Sequence, residues 1–404
     1  MIRALGQIAG LFLKLGTISF GGPAVHIELM ERETVERRGW VSREHFFDLL
    51  GATHLIPGPN AVEMANHLGY CRGGLPGSLV GGLCFTLPAV IISTVIAVAY
   101  VRYGTLAEVQ PVLGGIRPAV LAIIFAAVWR LGRKSLKTWQ LLLIGTAVAA
   151  TSLAGVDEIA ALLLGSLIGV LLLRFSRPGA PKPEKTTAAM LTGATTTVFA
   201  RGAQAATIAS APLSGAACGA TATAVSLGKL GWFFLKVSAL LYGGGYVLLA
   251  YIEGELVGDP WGLSEQQLID AVTVGQLTPG PLLSTVTFVG YVVAGYSGAA
   301  VATLGFLLPS FVLVAAVNPL IPRLRQSIWA SRFLDAVTAA SIGLMAAVTV
   351  TLARATLLPW QEGVLKVDVA GVCIALVAAA IALRWKVAPA WLVLAGAVAG
   401  WIFL

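Results

Sequence analysis

Ile56-Pro57-Gly58-Pro59-Asn60 and Leu277-Thr278-Pro279-Gly280-Pro281 carry one Pro-Gly-Pro motif written twice, 222 positions apart. Working outward, the repeat continues on both sides. Phe12-Leu13-Lys14 and Gly21-Gly22 return as Phe234-Leu235-Lys236 and Gly243-Gly244, and Glu31 and Glu33 return as Glu253 and Glu255, all at the same spacing. Beyond the motif, Gly69-Tyr70 and Phe85-x-Leu87-Pro88 return as Gly290-Tyr291 and Phe306-x-Leu308-Pro309 at 221, so one residue is lost between. Two copies of an apolar unit, each interrupted by Gly and Pro at corresponding places, are the pattern of a transporter with its binding site between repeats.

The composition excludes a soluble protein. Of the residues 57% are apolar and 11% charged, with a mean hydropathy of +0.86, where an ordinary soluble domain carries roughly 25% charged residues. Runs such as 79–101, 112–129 and 369–383 approach the length that spans a ~30 Å hydrocarbon core. The net charge of +8 is not a nucleic-acid footprint, because the basic residues sit at the ends of apolar runs and read as topology signals. The apolar start, residues 1–20, lacks a small-x-small cleavage site and belongs to the repeat, so it is not read as a signal peptide. Cys71, Cys84, Cys218 and Cys373 have no CxxC spacing and read as small packing residues.

The expected fold is an all-α polytopic membrane protein with a first repeat over 1–174, a second over 228–404, and a Pro/Ala/Thr/Gly-rich linker over 175–227. Each half holds about six apolar segments. The first and second of the first half are 4–27 and 46–70; their counterparts are 231–252 and 268–292. Basic residues flip sides between the copies. Arg32, Arg37, Arg38 and Arg43 fill a loop whose counterpart, 252–270, has no Lys or Arg, whereas Arg323, Arg325 and Arg332 fill a loop where the first copy has only Arg102 and Arg117. The simplest account is two inverted repeats. A cytoplasmic linker then requires an odd number of crossings per copy. Segments with Pro-Gly-Pro are the expected exceptions, entering and leaving on one side. This gives about ten crossings from about twelve apolar segments, with two re-entrant hairpins and both termini outside.

Helix breaks in hydrocarbon are tolerated beside protein or a water-filled cavity. Two kinds recur in register: Gly21-Gly22-Pro23 with Gly243-Gly244-Gly245, and Pro57-Gly58-Pro59-Asn60 with Thr278-Pro279-Gly280-Pro281. Pro23, Pro59 and Pro281 suit the start of a new helix, whose free amides and positive dipole end form an anion site. Four such ends would make a site for a small oxyanion from mostly backbone donors; packing kinks are the plainer alternative. Lys14 and Lys236, inside apolar runs, either attract the anion or snorkel to an interface. Glu63, one turn beyond Pro59 and flanked by Asn60, Asn66 and His67, is the candidate for carrying a proton in exchange with an anion; its counterparts Ser284 and Thr285 are neutral. Glu31, Glu33, Glu253 and Glu255 are polar-face residues or parts of a gate, with Arg32 or Arg37 as partner. His26, His45, His54 and His67 lack metal-ligand spacing, and Walker, dinucleotide and GxSxG motifs are absent from the sequence. No cofactor or metal is expected.

These residues resemble the two-domain, long-chain form of the bacterial chromate ion transporters, through Phe12-x-x-Leu15-Gly16, Phe20-Gly21-Gly22-Pro23, Pro57-Gly58-Pro59-Asn60 and their second-half copies. The resemblance covers nearly the whole chain except the linker. It implies a multi-pass plasma-membrane protein that exports chromate, powered by the proton gradient or membrane potential, with sulfate as a competing relative and oppositely oriented halves. Gly245 stands where the first copy has Pro23, a departure that loosens the second break. Sulfate uptake and an anion channel are the rival readings, and a homodimer is compatible with the sequence.

Overall fold

The computed structural model describes residues 2–19, 23–53, 56–104, 106, 108–174, 226–242, 247–281, 283–318, 328–357, 360–361, 364–365, 368–385, 387 and 389–403. Gly21, Gly22, Gly243, Gly244, Gly245, His54 and almost all of the linker lie outside them. The first half contains α1 (Ile2–Ile18), α2 (Pro23–Glu31), a π-helical turn (Arg32–Arg37), α3 (Arg43–Thr53), α4 (Asn60–Tyr103), α5 (Gln110–Ser135), α6 (Trp139–Leu153) and α7 (Glu158–Arg174). The second contains α8 (Leu227–Leu240), α9 (Val247–Leu256), α10 (Glu265–Leu277), α11 (Leu283–Val317), α12 (Ile328–Leu357), α13 (Val369–Arg384) and α14 (Pro389–Phe403). A two-residue hairpin, Trp360–Gln361 with Val364–Leu365, precedes α13. The helices follow one another in the same order and at corresponding places in both halves. Among the described residues, four stretches are long and apolar enough to cross a membrane: Asn60–Tyr103, Gln110–Arg133, Leu283–Val317 and Arg332–Leu357.

Three chain reversals shape each half. Lys14 Nζ lies 2.9 Å from Glu33 Oε1; a straight helix would separate residues 19 apart by roughly 28 Å. Segment 4–27, expected as one crossing, therefore doubles back between α1 and α2. Lys236 bonds Glu255 across the matching break. The second reversal is centred on Gly58: His45 at the start of α3 sits 3.5 Å from Cys71 near the end of α4's first limb. The third lies inside α4, where Gly73 and Gly74 leave helical geometry (φ −143, ψ 18; φ 62, ψ −154), and Ala294 and Gly295 do the same in α11 (φ −146, ψ 28; φ 62, ψ −150). Beyond each break the helix folds back so closely that a Cβ on Gly69 or Gly77 would run into the other's carbonyl oxygen, as would one on Gly290 or Gly298.

Between the halves, contacts are exchanged. Gly115 of α5 packs on Gly396 and Gly400 of α14, while Gly145 of α6 packs on Gly343 of α12 and Gly169 of α7 on Ala336. The central helices α4 and α11 run antiparallel. His67 meets Asn318, Gly82 faces Phe311, and Tyr100 stacks edge-on against Phe288 with ring centroids 5.1 Å apart. Small residues at these crossings let backbones approach where lipid supplies no hydrophobic drive between helices.

The two kinds of glycine separate in a stability measurement. Around Gly74 space is open, so Gly74→Ala carries only the backbone penalty of its φ 62, ψ −154 conformation, about 1–3 kcal/mol. Gly69→Ala drives a methyl into the Gly77 carbonyl, which can move only with its helix, and costs more. Thermal unfolding of the detergent-solubilised variants should rank them in that order; equal losses would contradict the tight hairpin.

Candidate functional site

The two Pro-Gly-Pro turns and the two breaks after α1 and α8 meet in the middle of the molecule, and each reaches into the other half. Gly58 N–H donates to Leu241 O at 2.8 Å, and Gly280 N–H donates to Ser19 O at 2.9 Å. Ser19 and Leu241 are themselves 222 positions apart, so the two bonds are one interaction made twice. Both glycines sit in backbone conformations that side-chain-bearing residues avoid, with φ of +140 and +95. Pro59 precedes α4 in extended conformation and Asn60 begins it; Pro23 begins α2, and Thr278 closes α10 with its hydroxyl on Val274 O. Gly280 lies against Ala89 and the carbonyl of Gly16, and Pro279 and Pro281 are buried beside it, while Pro57 is half-buried. The Gly58 and Gly280 amides are thus occupied by carbonyls of the opposite half. They tie each turn to the end of the opposite half's first helix.

Glu63 is the ionisable side chain beside the Gly58 turn. It is fully buried and neither carboxylate oxygen has a protein partner. A Cβ on Gly58 would collide with Glu63 Oε1 and lie 2.8 Å from Ser310 Oγ, which brings the turn, the carboxyl and α11 to one point. Ser238, Thr285 and Ser310 have buried hydroxyls without protein partners. Ser341 donates to Tyr242 O at 3.0 Å, tying α12 to the second-half break. Buried polar atoms without partners are uncommon in native proteins and mark places that hold water, ions or substrate.

The lysines are not free to meet an anion. Lys14 bonds Glu33, which also receives Arg37 at 2.8 Å and Arg38 at 3.5 Å, and Lys236 bonds Glu255. The hydrogen bond from Lys14, with Arg37 beside it, holds the Glu33 carboxyl below its ordinary range. Glu31 pairs with Arg43 at 3.0 Å rather than with Arg32 or Arg37. Glu253 lies apart from the central pocket. Burial, with Glu158 and Glu265 nearby, pushes its carboxyl up to about 7. The residues sequence reasoning missed form a buried trio: Arg117 donates to Asp270 at 2.9 and 3.0 Å, and Tyr100 donates to the same carboxylate at 2.7 Å. Arg117 was visible only as a loop charge, and nothing local pointed to its partner 153 residues away.

A family model described as "Chromate transporter" matches residues 6–170 and 228–401, both halves and not the linker. The chain belongs to the chromate transporter family. It is 34% identical over 355 residues to a probable chromate transport protein of Synechococcus elongatus, covering 88% of this chain and 86% of that one. It is 32% identical to a chromate transport protein of Cupriavidus metallidurans (97% and 91% covered) and 31% identical to one of Pseudomonas aeruginosa (87% and 81%). No solved structure matches. Membership makes the chain a membrane transport protein, and the apolar helices agree. The family match stops at residue 170, near the end of α7, and resumes at residue 228, the second of α8, so the site's elements all lie within it.

The raised Glu253 carboxyl has a consequence for stability. The folded protein holds that proton above the unfolded value, so stability is highest at acid pH and falls as pH rises from about 4.5 to about 7. Glu253→Gln should therefore stabilise at pH 8, by on the order of 1 kcal/mol after solvent screening, and change little at pH 4. Equal melting shifts at both pH values would contradict the assignment.

Proposed function

We propose that the protein is a secondary transporter exporting chromate across the bacterial plasma membrane, conferring chromate resistance, with its site where the four helix breaks meet. The reciprocal Gly58–Leu241 and Gly280–Ser19 bonds carry this reading, because they gather both halves' broken helices around one buried carboxyl. The antiparallel packing of α4 on α11, which are corresponding helices, supports inverted repeats: an axis relating two antiparallel partners runs perpendicular to them, hence in the membrane plane. By the positive-inside rule, the end carrying Arg72 and the Arg130–Lys137 loop faces the cytoplasm.

Glu63 sets the electrostatics. A carboxylate and an oxyanion in one dry pocket repel by several kcal/mol at about 5 Å, so the anion enters when Glu63 is protonated. The proton becomes the anion's companion rather than its exchange partner. An interior-negative membrane potential then drives the net negative load outward, at about 2.3 kcal/mol per charge per 100 mV. Sulfate shares chromate's charge and shape and competes for the pocket.

Everted vesicles test this. Chromate uptake into respiring vesicles should collapse when valinomycin with potassium removes the potential, and should survive nigericin, which removes only the pH gradient. The opposite pattern would establish exchange for protons and overturn the companion role. Chromate binding should weaken as pH rises in the wild type and lose that dependence in Glu63→Gln. Gly58→Val and Gly280→Val, each forced from a conformation that costs about 1–3 kcal/mol for other residues, should insert into the membrane and transport nothing; normal transport in both would discredit the pocket.

A further inference from the structure

Glu63 heads a column of buried polar groups that runs from the pocket to the end of the molecule holding Gly73 and Gly74. Asn66 and His67 follow it on one face of α4, and α11 offers Ser310 and Asn318 opposite, while the returning limb of α4 offers Ser78. Glu63, Asn66, His67 and Ser310 are 0% exposed. Both amide atoms of Asn66, Ser78 Oγ, Ser310 Oγ, His67 Nε2 and Asn318 Nδ2 lack protein partners. His67 Nδ1 lies 3.2 Å from Asn318 Oδ1. One turn on, Cys71 Sγ stands 3.5 Å from His45 Nε2, and both residues are exposed. A run of unpartnered buried polar groups that ends at the surface is the setting in which ordered water bridges.

Among the described residues, the corresponding positions of the other half form no such column. In the register of Gly69 and Gly290, Phe288 stands for His67, Ala97 for Asn318 and Ala89 for Ser310. Asn66 and Gly82 are replaced by Thr287 and Thr303, whose hydroxyls bond each other at 2.8 Å. Phe288 packs on Tyr100, which the Arg117–Asp270 pair holds in place. Toward one end the buried polar groups are unpartnered, and toward the other they are paired with one another.

We propose that this column is a one-sided proton route, in which His67 relays protons between the cytoplasm-facing end and Glu63. The inference rests on the reading of Glu63 as the proton-carrying group and adds where its proton comes from. The neutral imidazole takes a proton from water at the His45 end and becomes imidazolium. It then gives a proton through bridging water to the Glu63 carboxylate, so both end neutral and no electrons move. The titratable groups facing His67 are Glu63 and Cys71 on its own helix and His45 on α3; α11 and the returning limb present the neutral Asn318, Ser310 and Ser78.

The test uses full-length protein in proteoliposomes with a pH dye inside, and two readouts. Chromate-for-chromate exchange at fixed pH needs no net proton movement, whereas net chromate flux does. His67→Gln keeps a hydrogen bond to Asn318, and His67→Phe installs the second-half residue. Both should leave exchange within about twofold of wild type and slow net proton movement by about tenfold or more. Wild-type proton movement in both variants, with exchange intact, would overturn the relay. Exchange lost in proportion to proton movement would place His67 in the anion step and also overturn it. Glu63→Gln distinguishes the two levels: proton movement unaffected by that change would remove the underlying reading instead.

Discussion

A helix that stops inside a membrane leaves amides and carbonyls with no water to meet, and each needs a partner within the protein. Here the need is met across the molecule. The turn at Gly58 gives its N–H to the end of α8, and the turn at Gly280 gives its N–H to the end of α1. Each turn's glycine amide finds its partner in the other half. The positive φ of both glycines follows, since only that conformation aims the amide at the opposite carbonyl without a Cβ in the way. The position of Glu63, one turn from Gly58, follows as well.

Duplicated architecture with divided chemistry is the second theme. Backbone features come in matched sets: the two Pro-Gly-Pro turns, the hairpins at Gly73–Gly74 and Ala294–Gly295, and the Lys14–Glu33 and Lys236–Glu255 bonds. Side-chain chemistry does not. Glu63 has Ser284 and Thr285 as counterparts, and the buried Arg117–Asp270–Tyr100 trio corresponds in part to Thr338 and Asp48. Two scaffolds that match, with an unpartnered carboxyl toward one end and an ion pair joining the halves toward the other, suit a carrier whose two faces do different work.

Much of the scaffold was legible because Gly and Pro have local conformational meaning. Pro-Gly-Pro could be read as a reversal, and the neighbourhood of His45 and Cys71 has that shape. Pairings were less legible, because a pairing is tertiary. Lys14 and Lys236 stood out as apolar-run lysines, yet nothing in their surroundings said that each would bond a glutamate of its own half. Run 4–27 has the length of a span, and only the Lys14–Glu33 bond reveals that it doubles back. The bonds from the Gly58 and Gly280 amides were hidden for the same reason: the carbonyls they meet lie far away in the chain. Segments 46–70 and 79–101 were read as separate, and the break at Gly73-Gly74 falls between them.

The antiparallel meeting of α4 and α11 underlies all of this, and thiol cross-linking in native membranes tests it most directly. In a background without native cysteines, Tyr100→Cys with Phe288→Cys should be joined by a short bis-maleimide, because the side chains they replace touch, with ring centroids 5.1 Å apart. Tyr100→Cys with Asn318→Cys, which antiparallel packing sends to opposite ends of the molecule, should not. Cross-linking of the second combination and not the first would contradict the account.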